Sequence, residues 1–216
     1  MEKSYDKVYW MEKGVYSYHF INISIDEKDS FTRDNSFELY DGLREVIKIQ
    51  YASQKPNVFW PAALSQLAST NESKWDIKVK EVKKGEEPDL QGYDFYIFEH
   101  TIPEDLPTDG VVFLVNPDKI ETHYGIRVGA SYATSGRGIT PELGEEHPIT
   151  NSLSLDRINL TRFTQLILDS SYTPLLMHEQ NPLLAVRNDE DMKMVVMPFS
   201  LHYSNLAVLP EFPMLL

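Results

Sequence analysis

Two short, dense apolar runs stand out along the chain, at 93–100 (YDFYIFEH) and 110–117 (GVVFLVNP), and each breaks off on polar residues. Runs of that length without alternation suit parallel strands buried on both faces. Upstream, EVIKIQYAS at 45–53 reads as a strand. PNVFWPAALSQLAS at 56–69 reads as a helix: Phe59, Ala63, Leu64, Leu67 and Ala68 recur at helical spacing, Asn57 offers an N-cap, and Pro61 is tolerable near the start. WDIKVKEV at 75–82 alternates with one polar face, which predicts a strand at a sheet edge. The order strand, helix, strand, strand, strand predicts an α/β sheet. The strands near 46–52, 94–99 and 111–116 should be largely parallel neighbours, with the helix on one face.

The flanks are β-rich. At 15–25, Tyr16, Tyr18 and Phe20 alternate with Ser17, His19 and Asn22, followed by a polar turn region. Between 118 and 148 the chain carries Gly125, Gly129, Gly136, Gly138 and Gly144; the stretch is too long to be featureless without local structure or a function, and within it 125–138 is expected to be a flexible or irregular connection. Three extended segments follow, at 157–168, 173–188 and 192–201, and the polar turn from Asn188 to Asp191 predicts that the last two form a hairpin. The chain closes on Leu206, Val208, Leu209, Phe212, Met214 and Leu215, which are too apolar for a solvated tail. Pro210 and Pro213 oppose a regular helix, so an extended segment docked on the domain is expected. A terminus that packs this way, or one that leads on into a longer chain, would account for the apolar end.

Composition narrows the function. The 216 residues carry 20 basic and 33 acidic side chains, a net charge of −13. Phosphate backbones and anionic membrane surfaces would repel such a chain, so nucleic acid is not an expected partner. Aromatic residues make up 12% of the sequence, which argues against a disordered acidic tail. Cysteine is absent, and with it every thiol nucleophile, disulfide and thiolate metal site. The charged start, MEKSYDKVYWMEKG, has no apolar core of the kind a signal peptide carries, and no run is long enough for a membrane helix.

Beyond about Tyr16, most of the chain resembles a segment of bacterial membrane proteins that carry a von Willebrand factor A domain, the Bat-type aerotolerance group. The resemblance rests on YDFYIFEHTIPEDLPTDGVVFLVNP, HPIT at His147 and MVVMPFSLHYSNLAVLPEFPMLL. It implies a class I glutamine amidotransferase-like domain with a flavodoxin-like, mostly parallel sheet over 44–216, extended by C-terminal strands. It also implies that residues 1–43 hold the end of an immunoglobulin-like module, marked by Asp29, Phe31, Asp34 and Asn35 in a D-x-F-x-x-D-N pattern. A membrane helix just beyond the last residue would place the domain on the extracytoplasmic face of the bacterial cell membrane. Its partners would then be proteins at that membrane, and it would touch the membrane only through segments outside this chain.

True amidotransferases set a Cys on a sharp strand-to-helix turn beside a His. This chain has no Cys and no G-x-S-x-G elbow, so glutamine hydrolysis by that route is excluded. The candidate ligand-binding residues are Glu99 and His100 after the first apolar run, Arg137 in the glycine-rich stretch 125–138, His147, and His202, Ser204 and Asn205 in SLHYSNL. Glu99 and His100 point to opposite faces if the strand stays regular, and converge only if alternation breaks at its end. Ser204 and Asn205 are the residue types that cap turns. The scattered histidines and Asp189-Glu190-Asp191 lack metal-binding spacing, so no metal or cofactor is expected. The leading expectation is a non-catalytic interaction or ligand-sensing domain. The alternatives are a hydrolase using Ser/His or Asp/His chemistry near the glycine-rich stretch, with Ser135, His147 or His202 in its pocket, and a cell-wall carbohydrate-binding module.

Overall fold

The computed structural model describes residues 21–24, 36–39, 45–70, 75–83, 85–118, 124–134, 136, 138–151, 153–190 and 192–215. The chain divides into two compact units, with the boundary between Glu45 and Val46. In the smaller, β1 (Ile21–Ser24) pairs antiparallel with β2 (Ser36–Leu39). The D-x-F-x-x-D-N pattern lies outside the described residues.

The larger unit is an α/β domain of the flavodoxin-like class. Its strands are β3 (Glu45–Ser53), β4 (Trp75–Val82), β5 (Phe95–Glu99), β6 (Val111–Val115), β7 (Ile126–Ala133), β8 (Glu142–Leu143), β9 (Arg162–Leu168), β10 (Thr173–His178), β11 (Asn181–Asn188) and β12 (Lys193–Met197). Its helices are α1 (Phe59–Thr70) and the single turn α2 (Glu211–Met214). One sheet of eight strands runs β4-β3-β5-β6-β12-β11-β10-β8. The central strands β3, β5, β6 and β12 are parallel, and β11, β10 and β8 continue the sheet antiparallel. The expected neighbours β3, β5 and β6 are adjacent, and β4 forms the polar edge that its alternation predicted.

Burial explains the apolar runs. Residues 96–99 and 112–115 are buried without a break. Their side chains alternate between two clusters. Ile97, Phe113 and Val115 join Trp60 and Leu64 of α1. Tyr96, Phe98, Val112 and Leu114 join Ile126 of β7 and Leu166 of β9. Trp60 is fully buried, edge-on to Phe113 at 5.6 Å and to Phe212 at 5.1 Å. Asn57 caps α1 as expected: its Oδ1 accepts from the N–H groups of Phe59 and Trp60.

Three expectations are corrected. The glycine-rich stretch is not an irregular connection, because most of it is β7, paired antiparallel with β9 and bulged between Val128 and Ser131. Gly125, just ahead of β7, has φ +77, and a Cβ there would run into the Asp169 carboxylate. The segment 173–188 is two strands, since the chain reverses at Glu179, itself at φ 53. The expected hairpin across Asn188–Asp191 is present as β11–β12. The C-terminal run docks, with Leu206 and Phe212 buried, but as helical turns and not as an extended segment. Pro213 is the third residue of α2, where its missing N–H has no intrahelical partner to lose.

Candidate functional site

The parallel strands end flush. Ser53, Glu99, Val115 and Met197 stand opposite one another in register. The first residues past this row lie at the carboxyl edge of the sheet, where open α/β folds bind ligands. A cleft of about 530 Å3 opens there. The turns after β3, β5, β6 and β12 supply Asn57, His100, Asn116 and His202, and the β7–β9 ribbon supplies Ser131, Arg162 and Thr164.

Alternation does break where β5 ends. Glu99 stays inside, fully buried. Its carboxylate accepts hydrogen bonds from Tyr51 Oη at 2.6 Å, Ser53 Oγ at 3.1 Å and Asn57 Nδ2 at 2.7 Å. His100 then takes φ 54, and its ring lines the cleft. Asn116 does the same after β6, at φ 44. Both positions keep the last rungs of the ladder: His100 N–H donates to the Val115 carbonyl and Asn116 N–H to that of Met197. Left-handed backbone at a non-glycine residue costs on the order of 1–3 kcal/mol and clusters at functional sites.

The two turns are wired together. His100 Nδ1 lies 3.3 Å from Asp118 Oδ1 and 3.2 Å from Asn116 Nδ2. Thr164 donates to Asn116 Oδ1, which turns the amide N–H toward the imidazole. A bare Nδ1 accepts from Asn116, whereas a protonated Nδ1 donates to Asp118, so the tautomer selects the partner. Lys55 pairs with the other Asp118 oxygen at 3.0 Å. Partial burial pushes the Asp118 carboxyl up, but Lys55 and His100 outweigh it and hold the group below the ordinary carboxylate range. Elsewhere in the lining, the Arg162 guanidinium carbon sits 4.6 Å from the Tyr203 ring centroid, and Arg162 donates to the Tyr203 hydroxyl. The exposed His202 ring packs against Phe59 and Tyr203.

The cleft thus gathers His100 and His202, with Glu99 one contact behind it through Asn57. Ser204 and Asn205 brace the backbone: Ser204 Oγ donates to the Leu201 carbonyl within its own turn, while Asn205 ties that turn to the segment before β9, accepting from Asn159 N–H and donating to the Arg157 carbonyl. His147 braces its own turn, accepting from Ile149 N–H, and does not line the cleft. Arg137 and Ser135 lie outside the described residues. Sequence reasoning missed Lys55, Asn116, Asp118, Ser131, Arg162, Thr164, Ser200 and Tyr203. The readable signal was the polar ends of the two apolar runs, at Asn116 and Asp118. Among the described residues, no three His, Asp or Glu side chains gather closely enough to hold a metal ion.

The fold recurs in solved structures. The chain is similar to cytoplasmic protein STM3548 of Salmonella typhimurium, with 13% identity and a TM-score of 0.57 over 78% of this chain and 96% of that one. It is also similar to cytoplasmic protein STM1381 of Salmonella typhimurium LT2, with 13% identity and a TM-score of 0.51 over 77% and 93%. A protein named as ThuA-like, from Parabacteroides merdae, aligns with 11% identity and a TM-score of 0.44 over 79% and 87%. At these identities the likeness is one of fold. No family model matches the chain, and no curated protein matches it.

Proposed function

We propose that the chain is a non-catalytic ligand-sensing and interaction domain of a membrane-anchored, extracytoplasmic protein of the von Willebrand factor A, Bat-type group. The observation that carries the reading is the pair of left-handed strand ends. A sharp turn after a strand is where hydrolases of related architecture present a nucleophile. Here those turns hold an imidazole and a carboxamide, His100 and Asn116. The cleft around them has the size of a small-ligand site, about 300–1,000 Å3, and its polar groups are braced to recognise rather than attack. The membrane setting comes from the sequence resemblance alone.

The test pairs chemistry with binding. The purified protein should release no ammonia from L-glutamine above a buffer control, and NMR shifts at His100 and His202 should respond to small polar ligands. A specific activity that survives repurification would overturn the non-catalytic reading. A hydrolase reading is favoured by one observation, the His100–Asp118 contact, which could orient an imidazole as general base. Hydrolysis of a panel of esters and amides that vanishes in His100→Ala would select it.

A further inference from the structure

We infer that the cleft binds a small hydroxylated carboxylate, a molecule of the sugar-acid class, with Arg162 as the seat of its carboxylate. The inference rests on the reading of the cleft as a ligand site. Asp118 is the only acid among the described residues that line the cleft, and it is already engaged by Lys55. Lys55 and Arg162 are the two permanent cations of the lining, and Lys55 is the one that Asp118 holds. No ion pair to Arg162 forms among the described residues, whereas Arg157 and Arg187 each have a carboxylate within reach. Its partners among the described residues are the ring and hydroxyl of Tyr203, which hold the guanidinium plane in place without neutralising it. A guanidinium so held is pre-organised for two-pronged bonding to a carboxylate.

The rest of the lining argues for hydroxyl groups on the same ligand. Ser131 stands opposite Thr164 in the β7–β9 register, two positions along β9 from Arg162, so hydroxyls and guanidinium share one wall. Ser200 lines the cleft too, beyond β12. Asn116 adds an amide to the lining, while that of Asn57 is taken up by Glu99 and the helix cap. Such a set of short, neutral donors and acceptors matches a polyol better than an apolar or aromatic body.

The experiment titrates the full chain with D-glucuronate, D-glucose and acetate, read by calorimetry and by NMR. Glucuronate should bind more tightly than either half-molecule. Losing a charge-assisted pair should weaken it by roughly ten- to a hundredfold in Arg162→Gln. Tyr203→Leu should weaken it less, and thermal melts would confirm that both variants fold. Glucose binding as tightly as glucuronate, or glucuronate indifferent to Arg162→Gln, overturns the carboxylate inference and leaves the ligand-sensing reading standing. Failure of all three probes to perturb the cleft overturns the inference and counts against that reading as well.

Discussion

The phenol of Tyr51 donates a 2.6 Å hydrogen bond to the carboxylate of Glu99, a side chain with no exposed surface. Ser53 and Asn57 complete the shell, so the buried carboxylate is held by neutral donors from β3 and the turn that follows it. Asn57 also caps α1 and lines the cleft. One acid therefore ties the last rung of the sheet to the first turn of the helix and to the site.

Glu99→Ala should strand those donors and open a cavity. Each unsatisfied buried group costs about 1–3 kcal/mol, and with three donors stranded a loss of at least about 3 kcal/mol is expected in urea unfolding. Tyr51→Phe, which removes one of the three donors to the buried acceptor, should cost about 1–3 kcal/mol. A double variant that costs the plain sum of the two would show that the pair is not coupled.

Phe212 lies against Trp60 at the far end of the chain. Phe212→Ala should cost about 3–5 kcal/mol. Since 1 kcal/mol moves the melting temperature of a domain this size by about 2–4 °C, scanning calorimetry should record a fall of at least 6 °C or so. Removing 206–216 should do more, and an unchanged melting temperature would show that the docked turns contribute nothing.

Alkaline pH should unfold the protein. Burial, followed by the Glu99 contact, pushes the Tyr51 hydroxyl well up from its ordinary value. Burial and then Asp109 do the same to Tyr96. Tyr172 is pushed up to about 12 by burial, with Arg187 pulling the other way. Folded groups with raised values keep their protons while the unfolded chain loses them. Their contribution is whole below about pH 10 and is lost as pH climbs past it. Absorbance at 295 nm should show these three tyrosines ionising only as the fold is lost.

His100→Gly should remove the cost of left-handed backbone, offset by loss of the Asp118 and Asn116 contacts, leaving stability within about 1 kcal/mol of its starting value, while the cleft loses one of its two imidazoles. Gly125→Ala should add such a cost. Its φ of +77 and the Asp169 carboxylate beside it leave no room for a methyl group, and a loss of about 1–3 kcal/mol is expected. Paired denaturant curves check both.

The central strands were legible because burial on both faces writes an unbroken apolar run. The β10–β11 hairpin was not, since its turn at Glu179 and Gln180 carries no glycine and puts a glutamate at φ 53. β7 was hidden by the shift between Val128 and Ser131, which breaks the period of two around Gly129. The cleft was half readable. His100 and His202 stood out as polar residues at strand ends. Arg162 and Thr164 look like the solvated face of a strand, and only the pairing of β9 with β7 and its bond to Pro198 carry them to the sheet's carboxyl edge.

The slot filled by β12 has a kinetic consequence. Val111 on β6 finds its parallel partner in Lys193, almost at the end of the chain. During synthesis β6 must therefore wait as an open edge while β7 through β11 are made. Closing so long a loop is slow, and an unpaired apolar edge recruits other chains. A chain halted before β12 is a natural client for a chaperone, and refolding from denaturant should aggregate more readily as protein concentration rises.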